Sequence, residues 1–206
     1  MKKIKQLLGK IGLKILGWKI QLEGDENTLN RCILVVAPYT TNIEYFLGYM
    51  TYWQLDKPLR VIIKDAHTKA WYGGIVKALG GISIDRSKKN HLIDIISELY
   101  KKEDFSLVVT PEGTRSRVNK WRLGFYHMAL KSNVPIVLAA GDFGTKTIRI
   151  GKKISVEDLQ RLNTLGSSLP PPLISKKPIT MRASPMRSPI KFSFLNINSF
   201  IKVSFY

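Results

Sequence analysis

Six consecutive residues, Pro111-Glu112-Gly113-Thr114-Arg115-Ser116, concentrate groups suited to binding phosphate. Gly113 lets backbone N–H groups approach a ligand closely, Arg115 presents a planar fork to phosphate oxygens, and the Thr114 and Ser116 hydroxyls add smaller donors. Glu112 is compatible with a phosphate only when Arg115 or a ligand hydroxyl holds it. The preceding run from Phe105 to Thr110 reads as a short buried strand, which Pro111 ends by removing a backbone donor. One reading is an anion site at a strand-to-loop junction; the other is a polar turn with a solvated arginine.

The 206-residue chain carries a formal net charge of +18, a field that draws nucleic acid, anionic lipid headgroups or acidic carriers. Lys2, Lys3, Lys5, Lys10, Lys14 and Lys19 precede the first acid, Glu23. Among them Ile4, Leu7, Leu8, Ile11 and Ile15 recur at helical spacing, with Leu16 and Trp18 near the same side. Residues 1–20 are therefore expected to form a basic amphipathic helix suited to a membrane interface. A helix packing that face on the protein's own core has the same pattern. Lysines interrupt the apolar run and no small-residue cleavage pattern follows, against a secretory signal. No stretch of about 18 apolar residues is available to span a bilayer. Nucleic acid is not the expected partner, because no block interleaves aromatic and basic residues. Cys32 is the sole cysteine, which excludes an intramolecular disulfide and a Cys-rich metal site.

Short apolar runs alternating with longer amphipathic ones predict a layered α/β fold. Strands are expected over 32–37, 60–64, 81–84, 106–110 and 134–140, with 145–150 as a further edge strand. Helices are expected over 43–53, 67–79, 89–102 and 121–132. A domain over 21–158 follows the N-terminal helix. Beyond Asp158 no acid occurs, and Ser, Pro and basic residues dominate 159–206, which predicts a loop-rich tail. An altered reading frame at this end would produce so abrupt a change.

Taken in order, four blocks resemble the glycerolipid acyltransferase family related to 1-acylglycerol-3-phosphate acyltransferase. Pro111 to Ser116 matches the family's third block, which the resemblance implies binds the acceptor's glycerol phosphate. Gly81-Ile82-Ser83-Ile84-Asp85-Arg86 looks like the second, whose arginine helps hold the same phosphate. Val134-Pro135-Ile136-Val137 is similar to the fourth, although Leu138 replaces a second proline often seen there. Lys120-Trp121 and Gly124-Phe125-Tyr126-His127 also resemble a run that follows the third block. The resemblance, from about Lys14 to Ile150, implies a central mixed sheet flanked by helices, preceded by the amphipathic helix.

The first block departs from the pattern. In Ala37-Pro38-Tyr39-Thr40-Thr41-Asn42-Ile43-Glu44, Tyr39 stands where the family has its general-base histidine, and Glu44 where it has the orienting aspartate. Glu44 keeps a carboxylate, but a phenol with a reference pKa near 10 is a poor base at neutral pH. His67, His91 and His127 are expected in structural or solvated roles, and Asp85 as a local partner of Arg86. The resemblance implies Tyr39 and Glu44 at the reacting centre and Arg86, Glu112, Gly113, Thr114, Arg115 and Ser116 around the acceptor. It implies a fatty acyl transfer from an acyl-CoA or acyl carrier protein thioester to a lysophospholipid or glycerol-phosphate-like acceptor. No cofactor or metal is expected. The protein is expected as a peripheral or monotopic one on the cytoplasmic face of an anionic membrane. A catalytically silent lipid-binding relative is the alternative that Tyr39 raises.

Overall fold

The computed structural model describes residues 2–37, 43–71, 73–84, 92–113 and 121–166. Its sheet grows outward from Cys32–Val36 (β2), whose β-branched and apolar residues suit a strand covered on both faces. Cys32 and Leu34 face one layer of helices while Ile33 and Val35 face the other, as the two-residue repeat of a strand requires. β2 pairs in parallel with Ser106–Val109 (β5) on one side and with Ile136–Asp142 (β6) on the other. Beyond β5 lie Leu59–Lys64 (β3) and Gly81–Ile84 (β4), both parallel to it. Beyond β6 lie Thr147–Ile154 (β7), antiparallel to β6, and then Lys19–Leu22 (β1), parallel to β7. The result is a seven-stranded mixed sheet in the order β1-β7-β6-β2-β5-β3-β4.

Leu92–Lys102 (α5), Gly124–Ser132 (α6) and Val156–Gly166 (α7) cover one face through Ile96, Tyr100, Phe125, Ala129 and Leu159. Lys2–Leu16 (α1) and Ile43–Gln54 (α2) cover the other through Leu13, Leu47 and Tyr52. Asp65–Lys69 (α3) and Gly73–Ala78 (α4) continue this second layer over β3 and β4. There Val76 meets Gly81 and Ile63, on the side of the sheet that Leu59 also faces.

Several boundaries differ from the sequence expectation for identifiable reasons. The N-terminal helix stops at Leu16, not residue 20, because Gly17 adopts φ 73° and the Trp18 amide reaches back to the Leu13 carbonyl at 2.8 Å. This left-handed termination turns the chain, and Lys19–Leu22 becomes the edge strand β1. The expected edge strand at 145–150 consequently runs over 147–154 and is interior. The single helix expected over 67–79 is two short helices, and the Gly73-Gly74 pair marks the break; a Cβ at Gly73 would lie 2.0 Å from the Thr68 carbonyl oxygen. The boundary expected at 158 falls inside α7, whose Leu159 is buried in the core. A 3-10 helix over Glu26–Asn30, capped by Asp25 accepting from the Asn27 amide at 2.9 Å, was not anticipated. Residues 167–206, expected as a tail, lie outside the described residues.

The tight turn joining β6 to β7 is held by Asp142, which accepts from the Gly144 and Thr145 amides at 3.0 and 3.2 Å and lies 3.7 Å from Arg149. Burial opposes ionisation of this carboxyl, but hydrogen bonds from Thr145 and Gly144 and the Arg149 charge together hold it below its ordinary value. Asp142→Ala is expected to cost about 1–2 kcal/mol near neutral pH, by urea denaturation. A carboxyl whose folded-state pKa is depressed contributes fully above its unfolded value, near 3.8 here. That contribution fades as pH falls through the folded value, so the gap between the two proteins narrows in acid.

Candidate active site

Parallel pairing sends β2, β5, β3 and β4 out at one edge of the sheet, so the strands that lead into the first and third sequence blocks, and β4, which opens the second, all end there. β6 leaves at the same edge. The strands before the first and third blocks are immediate neighbours. β4, the first four residues of the second block, stands three strand spacings from β2, roughly 14 Å away at about 4.8 Å per spacing. A ligand held by both Glu44 and the second block therefore has to lie along the edge.

Glu44 sits half-buried in the first turn of α2, where a carboxylate is favoured by the exposed amides of the helix start. It borders an apolar cleft of about 50 Å³ between α2 and strands β2, β6 and β7, which continues past Leu47 and Gly48 to Thr51 and Tyr52. The Tyr52 hydroxyl at the far end is buried without a hydrogen bond, and burial raises its pKa well above the ordinary phenol value. It stays a neutral, apolar-bodied floor. At the near end Gly141 leaves room beside the carboxylate: a Cβ there would lie 3.8 Å from Phe143, 3.9 Å from Glu44 Cγ and 3.9 Å from Trp18. Trp18 and Phe143 meet edge to face at 5.1 Å, so the residues just after α1 and the β6–β7 turn pack together beside Gly141.

In the third block, Pro111 is buried, Glu112 is half-buried and Gly113 is exposed at φ 65°, a conformation that suits glycine. Arg122 returns to this loop. Its amide donates to the Pro111 carbonyl at 2.9 Å, and a Cβ on Gly113 would lie 3.1 Å from its Nε. A guanidinium laid against an exposed, side-chain-free backbone can serve phosphate as a fork of donors. Asp65 at the start of α3 accepts from the Ser83 hydroxyl at 2.5 Å and pairs with Lys69. These two contacts, Lys69 first, lower its pKa. They tie the exit of β4, within the second block, to α3.

The structure thus places Glu44, Glu112 and Gly113 on one sheet edge. Tyr39, Arg86, Thr114, Arg115 and Ser116 lie outside the described residues, as do Asp85, His91 and Lys120. His127 is exposed on α6, across the sheet from α2, with its ring against Tyr126. Among the described residues no group of His, Cys, Asp and Glu is placed to hold a metal ion. Sequence reasoning passed over Arg122, although it stands between two segments whose spacing behind the phosphate loop was itself a signal. Gly141, Trp18 and Phe143 carried no such signal, because only the sheet order brings them beside Glu44.

The acyltransferase family model matches residues 19–140, over half of the chain. This chain belongs to the acyltransferase family. It is 31% identical over 138 residues to a 1-acyl-sn-glycerol-3-phosphate acyltransferase of Cocos nucifera, covering 63% of this chain and 43% of that one. A protein of the same description from Limnanthes douglasii is 28% identical over 140 residues, 64% of this chain and 48% of the relative. The chain thus spans about half the length of the curated relatives it matches. The crystal structure of the 1-acyl-sn-glycerophosphate acyltransferase PlsC from Thermotoga maritima superposes with a TM-score of 0.53 at 19% identity, over 81% of this chain and 78% of that one. At that identity the likeness is one of fold.

Substitutions at two positions test the geometry of this acyltransferase-family site. Gly141→Ala introduces only ordinary contacts and is expected to leave stability unchanged or raised by up to about 1 kcal/mol. Gly141→Leu fills the cleft beside Glu44 and is expected to lower kcat/KM at least about tenfold, measured with folding checked by thermal denaturation. Arg122→Ala is expected to raise KM for a phosphate-bearing acceptor about tenfold with kcat little changed, and Arg122→Lys to recover part of the loss.

Proposed function

We propose that this protein transfers a fatty acyl group from an acyl-CoA or acyl carrier protein thioester to a hydroxyl of a lysophospholipid or glycerol-phosphate-like acceptor. The observation that carries this reading is the shared sheet edge, where Glu44 beside an apolar cleft and the Glu112–Gly113 loop beside Arg122 are held by neighbouring strands. The cleft suits the apolar start of an acyl chain; the loop and Arg122 suit the acceptor's phosphate. Attack of the acceptor oxygen on the thioester carbonyl forms the new C–O bond and breaks C–S. The hydroxyl proton passes to the base and then to the departing thiolate.

That base is the weak point. Tyr39 has a phenol that is about one part in a thousand ionised at neutral pH unless neighbouring cations lower its pKa. Glu44 orients the group at position 39, and positioning by the cleft and loop supports transfer even with a poor base. Tyr39 also favours a second reading, a catalytically silent relative that binds the same lipid.

The same proposal seats the protein on the cytoplasmic face of an anionic membrane as a peripheral or monotopic one. The support lies in α1. Its contact with α2 uses Gly9 and Leu13, not its apolar stripe, and Ile4, Leu7, Leu8, Ile11 and Ile15 are all exposed. No helix among the described residues is long and apolar enough to cross a membrane.

The deciding measurement is labelled acyl transfer by the purified chain, with both thioester donors and with lysophosphatidate and glycerol phosphate as acceptors. Slow turnover is expected, rising about 10²- to 10⁴-fold in Tyr39→His. Turnover that appears only in Tyr39→His, with lysophosphatidate binding already present in the unmodified chain, would establish the silent relative. Turnover surviving Tyr39→Phe would rule out Tyr39 as the base.

A further inference from the structure

Ten of the twelve large apolar side chains exposed among the described residues lie on one layer of the molecule. Six are on α1. Ile43 and Phe46 open α2, and Trp71 and Ile75, 94% and 64% exposed, lie on the segment through α3 and α4. Charge is divided in the same way. Helices α1 to α4 carry seven lysines against two carboxylates, Glu44 and Asp65, whereas α5, α6 and α7 carry four basic and four acidic residues.

The packing of α2 shows how these groups are spaced. On one flank it receives α1 at very close range, since a Cβ on Gly9 would lie 2.4 Å from the Met50 carbonyl oxygen and 2.7 Å from the Gln54 amide. Gly12 meets Met50, one turn nearer the start of α2, so the two helices run antiparallel and the end of α1 lies by Glu44. On its other flank the Tyr49 hydroxyl donates to the Leu79 carbonyl at 2.6 Å, just past α4. α2 thus lies between α1 and the residue that follows α4.

We propose that α3–α4 is a second membrane anchor: Trp71 and Ile75 insert into an anionic bilayer together with the apolar face of α1, bracketing the start of α2. This extends the membrane contact proposed for α1 and rests on it. One amphipathic helix fixes depth but leaves the protein free to roll about the helix axis. A second apolar point across α2 removes that freedom and holds Ile43 and Phe46, beside Glu44, toward the lipid. The excess of lysines over acids matches an anionic headgroup layer, and tryptophan suits the interfacial zone.

The test is co-sedimentation of the full chain with phosphatidylglycerol–phosphatidylcholine vesicles at physiological salt, comparing a Trp71→Ser/Ile75→Ser protein with an Ile4→Ser/Ile11→Ser protein. Each pair is expected to weaken partitioning at least about tenfold, from the apolar area it no longer buries. All four side chains are exposed, so circular dichroism should match the unmodified chain. Brominated acyl chains should also quench Trp71, a component missing from Trp71→Phe, which keeps its apolar body. Unchanged partitioning of the Trp71/Ile75 protein, with loss in the α1 protein, overturns the second anchor and leaves the α1 contact standing. Unchanged partitioning in both overturns both. A dimer in solution that is lost only in the Trp71/Ile75 protein, with vesicle binding intact, assigns the patch to a second copy and equally overturns it.

Discussion

The parallel seating of β2 between β5 and β6 is the constraint on which the rest depends. Cys32, Ile33, Leu34 and Val35 are each no more than 4% exposed, so both faces of the strand are fixed by packing. A slip of one residue would exchange the sets facing the two helical layers, sending Cys32 and Leu34 into the space now filled by Ile33 and Val35. The polar groups on this strand are settled accordingly. Burial pushes the Cys32 thiol up to about 12 despite its 3.1 Å contact with the Ser106 hydroxyl, which itself donates to the Leu29 carbonyl at 2.7 Å. The Tyr100 hydroxyl donates to the Cys32 carbonyl at 2.7 Å. With the thiol kept protonated, Cys32 serves as core.

From that register the site follows in two directions. Toward β5 the next exit carries Glu112 and Gly113, and toward β6 the next exit brings Gly141 beside Glu44. Neither half is assembled by local sequence. Glu44 is on α2, Gly141 is nearly a hundred residues later, and Trp18 reaches them from a turn that Gly17 makes possible. Helix α2 therefore has two tasks: it carries Glu44 at one end, and its flanks hold α1 and the segment after α4.

Much of this fold was legible in the sequence where one period dominates. The strands from Cys32, Leu59, Gly81, Ser106 and Ile136 announce themselves as short apolar runs rich in β-branched residues, and α5 keeps a clean amphipathic repeat. Legibility failed where a short segment satisfies two patterns. Lys19-Ile20-Gln21-Leu22 continues the lysine and apolar spacing of α1, yet Gly17 ends the helix and strand pairing with β7 claims those residues. The segment at 67–79 reads as one helix until the double glycine breaks it. The loop that begins at Pro111 was readable as a strand-to-loop junction, because an apolar run ends there at a proline. Arg122 was not, since its place beside Gly113 depends on a chain reversal that no short motif announces.

The two halves of the site oppose each other electrostatically. A cation such as Arg122, near enough to hold an acceptor phosphate, also favours ionisation of any phenol within its field, which is the help Tyr39 needs. A bound phosphate would cancel much of that field, so a phenol base would be least helped when the acceptor hydroxyl is in place. An imidazole escapes this conflict, because its neutral form is the base and a nearby anion only raises its basicity. With tyrosine at position 39, a cation that strengthens phosphate binding would not strengthen the proposed chemistry. In the proposed reading, phosphate binding and the rate of transfer would therefore depend on different side chains.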